Sequence, residues 1–257
     1  MKATSLGFIG GGRITKIFLQ AFANKKIEFE SIVVFDTNAD VLVALKKQFP
    51  NIVVSETAEQ AAQQPTIFIA LHPPMIMESL GPIAESVSTD ALVISLAPKI
   101  TIEKIASKLK TPNIVRLIPN ATSYINEGFN PLTFGGNFNQ KDKSDALLLL
   151  QLLGTTFEVA EPKLEAYAIL SAMLPTYFWF QWEELTNLGD PMGLTAEETK
   201  EALKQTLHSA IKLYFESGLS SKQVIDLIPV KPIGEYQQQI TEIYQSKLMG
   251  LFEKIKP

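Results

Sequence analysis

A cluster of glycines stands directly after the first apolar run of the chain, in the segment Gly7–Thr15. Gly10 and Gly12 occupy the first two places of the pattern G-x-G-x-x-G, and Thr15 stands at the third. The first glycine of this pattern permits a tight turn, and the second leaves a bare backbone that a pyrophosphate can approach. The amides at the start of the next helix supply the anion site. The loop therefore predicts phosphate binding, with Thr15 expected to crowd the contact between helix and strand.

An acidic residue closes the second apolar run of the chain. Asp36 follows Ser31–Phe35 and lies 26 residues after Gly10, near the place where an acid hydrogen-bonds the adenine ribose of a dinucleotide. An ordinary helix-capping aspartate is the alternative interpretation. No Lys or Arg occurs between positions 37 and 45 to neutralise a 2′-phosphate. The two motifs together predict a nicotinamide cofactor, NAD(P)H, with NADH preferred over NADPH.

Other side chains near these motifs are candidate contacts. Arg13 and Ile14 open the helix after the glycine loop, where Arg13 either reaches the cofactor phosphates or is simply solvated. His72 follows a strand, at the edge where open α/β sheets bind ligands, and an exposed loop histidine is an equal alternative. His208 is expected at a surface or an interface. Because these are the only two histidines and cysteine is absent, we predict no metal site.

The elements that must position these residues alternate between short apolar runs and helical patterns as far as about Val159. Such alternation is typical of βαβ units and a parallel sheet. The strand candidates are Leu6–Ile9, Ser31–Phe35, Ile52–Val54, Thr66–Leu71, Ala91–Leu96, Asn113–Leu117 and Pro131–Phe134. The helix candidates are Ile14–Ala23, Ala39–Gln48, Ala58–Gln63, Ile102–Leu109 and Lys143–Leu153.

The character of the chain changes after Pro162. Three long helical patterns follow, over Glu165–Leu188, Thr195–Ser217 and Gly234–Ile255, and no strand pattern is obvious among them. We therefore predict an α/β fold in two domains. Residues 1–162 form a Rossmann-type dinucleotide-binding domain with a parallel sheet, and residues 163–257 form an all-helical domain.

Composition argues against several kinds of partner. The net charge is −4, so no strong positive field attracts nucleic acid or an anionic membrane. The absence of cysteine favours a reducing compartment, and we expect the protein in the cytoplasm. The N-terminus lacks the pattern of a signal peptide. The uncharged stretch between Glu165 and Glu183 contains Pro175, and we interpret it as a buried helix and not as a membrane span.

Five segments occur together in an order and spacing typical of one enzyme family. They are Gly7–Thr15, Ile69–Pro73, Val115–Asn120, Leu170–Tyr177 and Gln205–Gly218. In turn they are similar to an opening cofactor loop, a strand ending in Val-Lys-Pro, an Arg-x-Met-Pro-Asn segment, a Ser-Gly-Ser-Gly-Pro-Ala-Tyr turn and a Gln-Thr helix. The sequence thereby resembles the pyrroline-5-carboxylate reductase family over nearly its whole length.

The resemblance implies an enzyme that reduces the C=N bond of a small cyclic imine with NAD(P)H, as in proline biosynthesis. It also implies a homodimer, or a dimer-based oligomer, whose C-terminal helices interlock and complete the active site. Thr206 takes the place of the catalytic threonine that donates to the substrate nitrogen. The matching segments supply Leu71, His72, Pro73 and Asn120 as further cofactor contacts.

The substrate segments depart from the family pattern. Ala172 and Leu174 replace the two glycines of the first turn, Met173 replaces its second serine, and the later loop near Pro229–Gly234 keeps one glycine. Prolines in that loop remove amide donors. We therefore expect altered substrate loops that bind pyrroline-5-carboxylate poorly, with Lys231 a candidate to supply a point charge in place of the amides.

Two functional interpretations stay open at this point. One is a reductase of a small imine, and the other is a non-catalytic dinucleotide-binding protein such as a redox sensor or an assembly subunit. The lost glycines favour the second. The pair Gln205-Thr206 and the segment that ends in Asn120 favour the first.

Overall fold

The computed structural model describes residues 4–136 and 138–257, and the strands of this part form one eight-stranded sheet. The strands are β1 (Ser5–Ile9), β2 (Ser31–Phe35), β3 (Val53–Val54), β4 (Thr66–Ile69), β5 (Leu92–Ser95), β6 (Ile114–Leu117), β7 (Gly128–Phe134) and β8 (Gly154–Glu158). Their order across the sheet is β3-β2-β1-β4-β5-β6-β7-β8. The first six strands are parallel, as predicted, and the Rossmann-type fold is confirmed.

The far edge of the sheet differs from the prediction of a wholly parallel sheet. β7 runs antiparallel to β6, and β8 runs parallel to β7. Only ten residues join β6 to β7, fewer than the dozen or so that a parallel crossover requires. β8 escapes the sequence analysis because Thr156 is the one buried residue among its five, so no apolar pattern marks it.

Eleven α-helices occur in the described ranges. They are α1 (Arg13–Asn24), α2 (Ala39–Gln48), α3 (Ala58–Ala62), α4 (Pro73–Ile83), α5 (Ile102–Ala106), α6 (Gln140–Leu150), α7 (Leu164–Tyr167), α8 (Trp179–Asn187), α9 (Ala196–Glu216), α10 (Ser221–Asp226) and α11 (Gln237–Ile255). α4 is not predicted from the sequence, because it contains Pro73, Pro74 and Pro82. Proline is well tolerated in the first helical turn, because the N–H that it lacks would have no partner there.

The continuous buried helix predicted over Glu165–Leu188 is wrong. The segment contains α7, a π-helical turn over Ala168–Ala172, a 3-10 turn over Leu174–Tyr177 and α8. Pro175 accounts for the break, because its ring lacks an N–H and clashes with the preceding turn of an α-helix. α8 has no buried residue in the single chain. In the described part of the chain, no helix is both long enough and apolar enough to cross a membrane.

The second predicted helix of the C-terminal half is confirmed as α9. Thr195 caps it in a reciprocal pair of hydrogen bonds: the Glu198 amide donates to the Thr195 hydroxyl at 3.3 Å, and the Thr195 amide donates to the Glu198 carboxylate at 2.8 Å. Hydrogen bonds from Thr195 lower the pKa of the Glu198 carboxyl. The third helix begins with a 3-10 turn and continues as α11, while the short α10 is not predicted.

The chain divides into two compact units. One runs as far as Ala172 and includes Phe252–Pro257, and the other is Met173–Leu251. The first unit holds the whole sheet, and the second holds α8, α9 and α10. The domain bounds of 1–162 and 163–257 stay a prediction, because they concern parts that would fold separately.

The core of the first unit lies on both faces of the sheet. Side chains alternate between faces along each strand, so Phe8 of β1 and Phe68 of β4 pack on one face while Ile9 and Ile69 pack on the other. The rings of Phe8 and Phe68 stack at 4.6 Å, and Phe18 of α1 meets Phe68 edge-on at 5.6 Å. These contacts hold α1, and therefore the glycine loop before it, against the centre of the sheet.

A buried ion cluster joins β6 to α7. Arg116, whose side chain is fully buried, donates from Nη1 to Glu161 Oε1 at 2.9 Å and from Nη2 to Glu165 Oε1 at 2.5 Å. The same two carboxylate oxygens accept backbone N–H groups of the loop between β5 and α5, from Ile102 at 2.8 Å and from Lys99 at 3.1 Å. One buried guanidinium therefore organises the loop through two carboxylates.

We predict that Glu165→Gln lowers the free energy of unfolding by about 3 kcal/mol or more, because it removes the fully buried counter-charge of Arg116. Urea unfolding would measure the change. Glu85→Gln is the matched control, since Glu85 pairs with Lys110 at the surface and exposed pairs contribute at most about 1 kcal/mol. Equal effects of the two substitutions would contradict the role given to the buried cluster.

Candidate functional site

The order of the strands reverses between β1 and β4, which are direct neighbours in the sheet. Open α/β sheets bind ligands outside the carboxyl ends of the strands at such a point. The loop after β1 carries Gly10 and Gly12, and the segment after β4 carries Ala70 and Leu71. These two segments therefore form the floor of the candidate site.

Gly10 forms the tight turn that the sequence predicts. Its φ of +103° disfavours any other residue, and its N–H donates to the Phe35 carbonyl at 2.8 Å. A Cβ atom at this position would lie 2.4 Å from the Ala70 carbonyl oxygen and 3.2 Å from Leu71 Cδ2. The backbones that follow β1 and β4 therefore approach too closely to leave room for a side chain.

Gly12 faces open space at the start of α1. A Cβ atom there would meet nothing within 4 Å apart from its neighbours in the chain, and no side chain caps the helix. The first amides of an α-helix have no partner inside the helix and attract anions. An uncapped helix start behind an open glycine has room for an anion such as a pyrophosphate, and binding of the cofactor by Gly10, Gly12 and the amide of Ile14 stays a prediction.

Asp36 lies beside the glycine loop at the end of β2. Its Oδ2 accepts the Gly11 N–H at 2.7 Å, and its Oδ1 accepts the Asn38 N–H at 2.8 Å. The Asn38 side chain, and not that of Asp36, caps α2, so the helix-capping interpretation of Asp36 is wrong. Each carboxylate oxygen can accept a second hydrogen bond, which leaves capacity for ribose hydroxyls.

The expectation that Thr15 crowds the contact between helix and strand is wrong. Thr15 is fully buried, and its hydroxyl donates to the Gly10 carbonyl at 2.6 Å. The hydroxyl thereby binds a carbonyl of the loop itself. In this chain a threonine fits the place where the pattern has a glycine or an alanine.

The remaining predicted contacts lie at the same edge of the sheet with different exposure. Leu71 is half-buried beside Gly10, and His72 is exposed as the residue that precedes α4. Pro73 begins α4 and has no amide to offer. Arg13 is exposed on the first turn of α1, with no ion pair in the described part of the chain. Both interpretations of Arg13 and of His72 stay open.

Asn120 follows β6, and its side chain forms hydrogen bonds with other residues of the protein. Its Oδ1 accepts from the amide of Thr122 at 3.0 Å and from its hydroxyl at 2.8 Å, and its Nδ2 donates to Ser171 Oγ at 3.2 Å. Its own amide donates to Asn130 Oδ1 at 3.0 Å. These bonds join the turn after β6 to the π-helical turn, and contact with the cofactor stays a prediction.

Lys99, in the loop after β5, is a candidate that the sequence analysis misses. Its φ is +76°, and its side chain is exposed at the same edge of the sheet as the glycine loop. The segment Ala97–Thr101 contains no glycine to indicate a left-handed residue. Only the structure therefore identifies it.

The second unit carries the predicted catalytic residue. Thr206 lies on α9 and is exposed in the single chain. Burial raises the pKa of the Tyr177 phenol, with a smaller contribution from Tyr244, whose ring lies 6.1 Å away. Lys231 lines a cleft of about 520 Å³ in this unit, with Ile228 among its apolar neighbours.

No group of three or more potential metal ligands occurs among residues 4–136 and 138–257. The candidate site in the first unit is thus made of backbone amides, one carboxylate and open space. Such a site binds an anionic organic ligand that brings its own chemistry.

Comparison with known proteins finds similarity to oxidoreductases. Residues 5–99 match the family model described as NADP oxidoreductase coenzyme F420-dependent. Pyrroline-5-carboxylate reductase of Escherichia coli K12 is 26% identical over 226 residues, covering 87% of this chain and 84% of that protein. The enzyme of the same name from Corynebacterium melassecola is 22% identical over 253 residues, covering 97% and 93%.

A solved structure shows the same fold over the whole chain. Pyrroline carboxylate reductase of Plasmodium falciparum, crystallised with NADP bound, superposes with a TM-score of 0.78 and 22% identity, covering 99% of this chain and 96% of that one. The full-length sequence matches and this superposition agree with the five motifs. The resemblance of this chain to the pyrroline-5-carboxylate reductase family is thereby confirmed, and it extends over nearly the whole sequence.

Proposed function

We propose that this protein is an NAD(P)H-dependent oxidoreductase that reduces the C=N bond of a small cyclic imine. The observation that carries the proposal is the uncapped start of α1 behind the open backbone of Gly12, at the reversal of strand order. The relatives named as pyrroline-5-carboxylate reductases supply the reaction class. Which imine the protein uses belongs to the proposal.

The protein contributes binding and orientation to this reaction. A bound reduced nicotinamide would supply the hydride to the imine carbon, and the imine nitrogen would take one proton from water, so that the side chains mainly bind and orient the two reactants. The loop Gly10–Gly12 and the first amides of α1 would hold the pyrophosphate, and Asp36 would hold the adenine ribose. Thr206 donates a hydrogen bond to the imine nitrogen, as the family resemblance implies. The positions of the two reactants, about 3–3.5 Å apart at the reacting atoms, then determine the rate.

A non-catalytic dinucleotide-binding protein is the second candidate function. The replacements at Ala172, Met173 and Leu174 favour it, because longer side chains occupy the place of a glycine-rich turn. The two candidates share the cofactor site and differ only in turnover. A protein that binds NADH but oxidises it with no cyclic imine would be the non-catalytic one.

We further propose that NADH is preferred over NADPH. Asp36 would repel a 2′-phosphate, and the next lysine along the chain, Lys46, already donates to the Pro50 carbonyl at 2.8 Å and to the Ile52 carbonyl at 2.5 Å. The Plasmodium falciparum relative was crystallised with NADP, so the preference is a property to be tested in this chain itself.

Dissociation constants for NADH and NADPH, measured by the quenching of protein fluorescence, test the preference. We expect tighter binding of NADH, and we expect Asp36→Ser to narrow the ratio by about tenfold, the effect of one charged hydrogen bond. Asp40→Asn, in the first turn of α2, is the matched control and should leave the ratio unchanged. Equal or tighter binding of NADPH by the unaltered protein would overturn the proposal.

The role of Thr206 can be tested without disturbing the cofactor site. We expect Thr206→Val to lower kcat/KM for reduction of 1-pyrroline by about a hundredfold or more, since it removes one donor that acts on the reacting group. NADH affinity should stay unchanged. Ser209→Ala, on the same exposed helix, is the control and should retain full activity. A Thr206→Val protein as active as the original would exclude this threonine from catalysis.

We also propose a homodimer built from the helices of the second unit. Among all residues of α8, α9 and α11, only Thr199 is buried in the single chain. Large apolar side chains are exposed on this unit, including Phe180 at 65%, Phe215 at 76% and Ile228 at 68%. An exposed apolar surface of this kind is typical of a protein–protein interface, and the family resemblance indicates that a second copy of this chain covers it.

Light scattering at micromolar concentration should give the mass of two chains of 28.4 kDa each. Phe215→Asp should shift the protein towards the monomer, because it places a charge on the exposed apolar surface. Val43→Asp is the control, since Val43 is a comparably exposed apolar residue at 68% on α2 in the first unit. A monomer in both the unaltered protein and the control would contradict the proposed dimer.

A further inference from the structure

The backbone at Lys99 adopts a conformation that is uncommon for any residue with a side chain. Among the described residues other than glycine, positive φ occurs at Lys26, Lys99 and Asn126. Lys26 lies in the turn that ends α1, and Asn126 donates from its side chain to the carbonyls of Ala21 and Leu152. Helix termination and side-chain hydrogen bonds explain those two. Lys99 has neither explanation.

The surrounding structure holds Lys99 in this conformation. Its N–H donates to Glu165 Oε1 at 3.1 Å, and three residues later the Ile102 N–H donates to Glu161 Oε1 at 2.8 Å. Both carboxylate oxygens are bound by Arg116, whose side chain is fully buried. Strained backbone persists where the surroundings determine it, and such positions cluster at functional sites.

The position of Lys99 in the sheet relates it to the nicotinamide half of a bound cofactor. Across the sheet, Asp36 follows β2, the glycine loop follows β1, Leu71 follows β4 and Lys99 follows β5. A dinucleotide with its ribose at Asp36 and its pyrophosphate at the glycine loop extends away from β2, towards β4 and β5. Lys99 therefore lies on the side of the reacting ring.

The ammonium group of Lys99 is available to a ligand. Its side chain is exposed, and no carboxylate in residues 4–136 or 138–257 forms an ion pair with it. The backbone N–H of Lys99 is bound by Glu165, so the position of its Cα atom is restrained while the side chain extends into solvent. A lysine in this setting supplies a point charge to an anion.

We propose that Lys99 is a specificity-determining residue that binds the carboxylate of an anionic imine substrate. The inference rests on the proposed function and names the substrate class for the same site. The cofactor phosphates would lie at the glycine loop, on the other side of β4, so the substrate is the anion expected beside β5. Lys99 thereby supplies a charge in a chain that has fewer amide donors than the resembling family, because Ala172 and Leu174 replace the two glycines of the family's turn.

Equilibrium binding of L-proline to the NAD⁺-saturated protein, measured by titration calorimetry, tests the proposal independently of turnover. Pyrrolidine is the matched ligand without a carboxylate. Lys99→Met removes the charge, Lys99→Arg keeps it, and Lys99→Gly removes the charge while relieving the backbone conformation. Lys108→Met, a nearby exposed lysine in the same connection to β6, is the control.

We expect L-proline to bind more tightly than pyrrolidine, and we expect Lys99→Met and Lys99→Gly to weaken L-proline by about tenfold or more, the loss of a charge-assisted contact. Lys99→Gly should melt at a higher temperature than Lys99→Met, because glycine tolerates the positive φ. An equal loss of L-proline affinity in these two variants of different stability would show that the loss comes from the missing charge and not from impaired folding. The affinity of Lys99→Arg and of Lys108→Met for L-proline should stay within about threefold of that of the unaltered protein. Such a change is smaller than the one caused by the loss of a charge-assisted contact. NADH affinity should not change.

Three results would overturn the proposal. The first is unaltered affinity for L-proline in Lys99→Met, and the second is no preference for L-proline over pyrrolidine in the unaltered protein. The third is an equal loss of NADH affinity in Lys99→Met, which would mean that the lysine binds a cofactor phosphate. Failure of the proposed function looks different. In that case the protein would bind NADH but reduce neither 1-pyrroline nor pyrroline-5-carboxylate, whatever the affinity for L-proline.

Discussion

The close approach of two backbones at the centre of the sheet determines the shape of the candidate cofactor site. Gly10 turns against Ala70 at a distance that excludes a Cβ atom, and its carbonyl accepts the hydroxyl of the buried Thr15. The turn aims the start of α1 at the carboxyl edge of the sheet. Asp36 then holds the loop from the β2 side through the Gly11 amide. The proposed binding of a phosphate at Gly12 depends on these contacts, because they place the free amides.

The buried Arg116 cluster performs a related task on the other side of the strand reversal. Its guanidinium binds two carboxylates, and these accept the backbone N–H groups of Lys99 and Ile102 in the loop after β5. The carboxylates thus take the place of the carbonyl groups that accept such N–H groups in a regular turn. Arg116 and Glu165 are buried, and Arg116 Nε and Glu165 Oε2 have no hydrogen-bond partner in the described part of the chain, whereas buried charges are favourable only when their hydrogen bonds are well met. The cluster is therefore interpreted as a positioning device for this loop and not as a source of net stability.

Local patterns in the sequence suffice for the first elements of the fold. β1, β2 and α1 follow from apolar runs and the glycine loop, because each is a short-range feature whose partners lie next to it in the parallel sheet. The antiparallel β7 and the edge strand β8 do not follow, since strand direction depends on the length of a connection and an edge strand needs few apolar residues. α4 was hidden by prolines that are compatible with a helix start.

The candidate site divides in the same way. Gly10, Gly12 and Asp36 form a local motif, and the structure brings them together as their spacing predicts. Lys99 could not be predicted, because its conformation is imposed by Glu165, which lies 66 residues further along the chain. Thr206 rests on family resemblance alone, since an exposed threonine on a long helix carries no signal of its own.

A titration of NADH against the unaltered protein, Gly12→Ala and Gly81→Ala tests the central claim most directly. A Cβ atom meets no neighbour within 4 Å at either glycine, so both variants should fold, with a loss of stability of at most about 1 kcal/mol at the helix start. We expect saturable binding by the unaltered protein and by Gly81→Ala, and binding at least about tenfold weaker in Gly12→Ala, where the methyl group would occupy the approach of the pyrophosphate. Absence of NADH binding by the unaltered protein, or full affinity in Gly12→Ala, would contradict it.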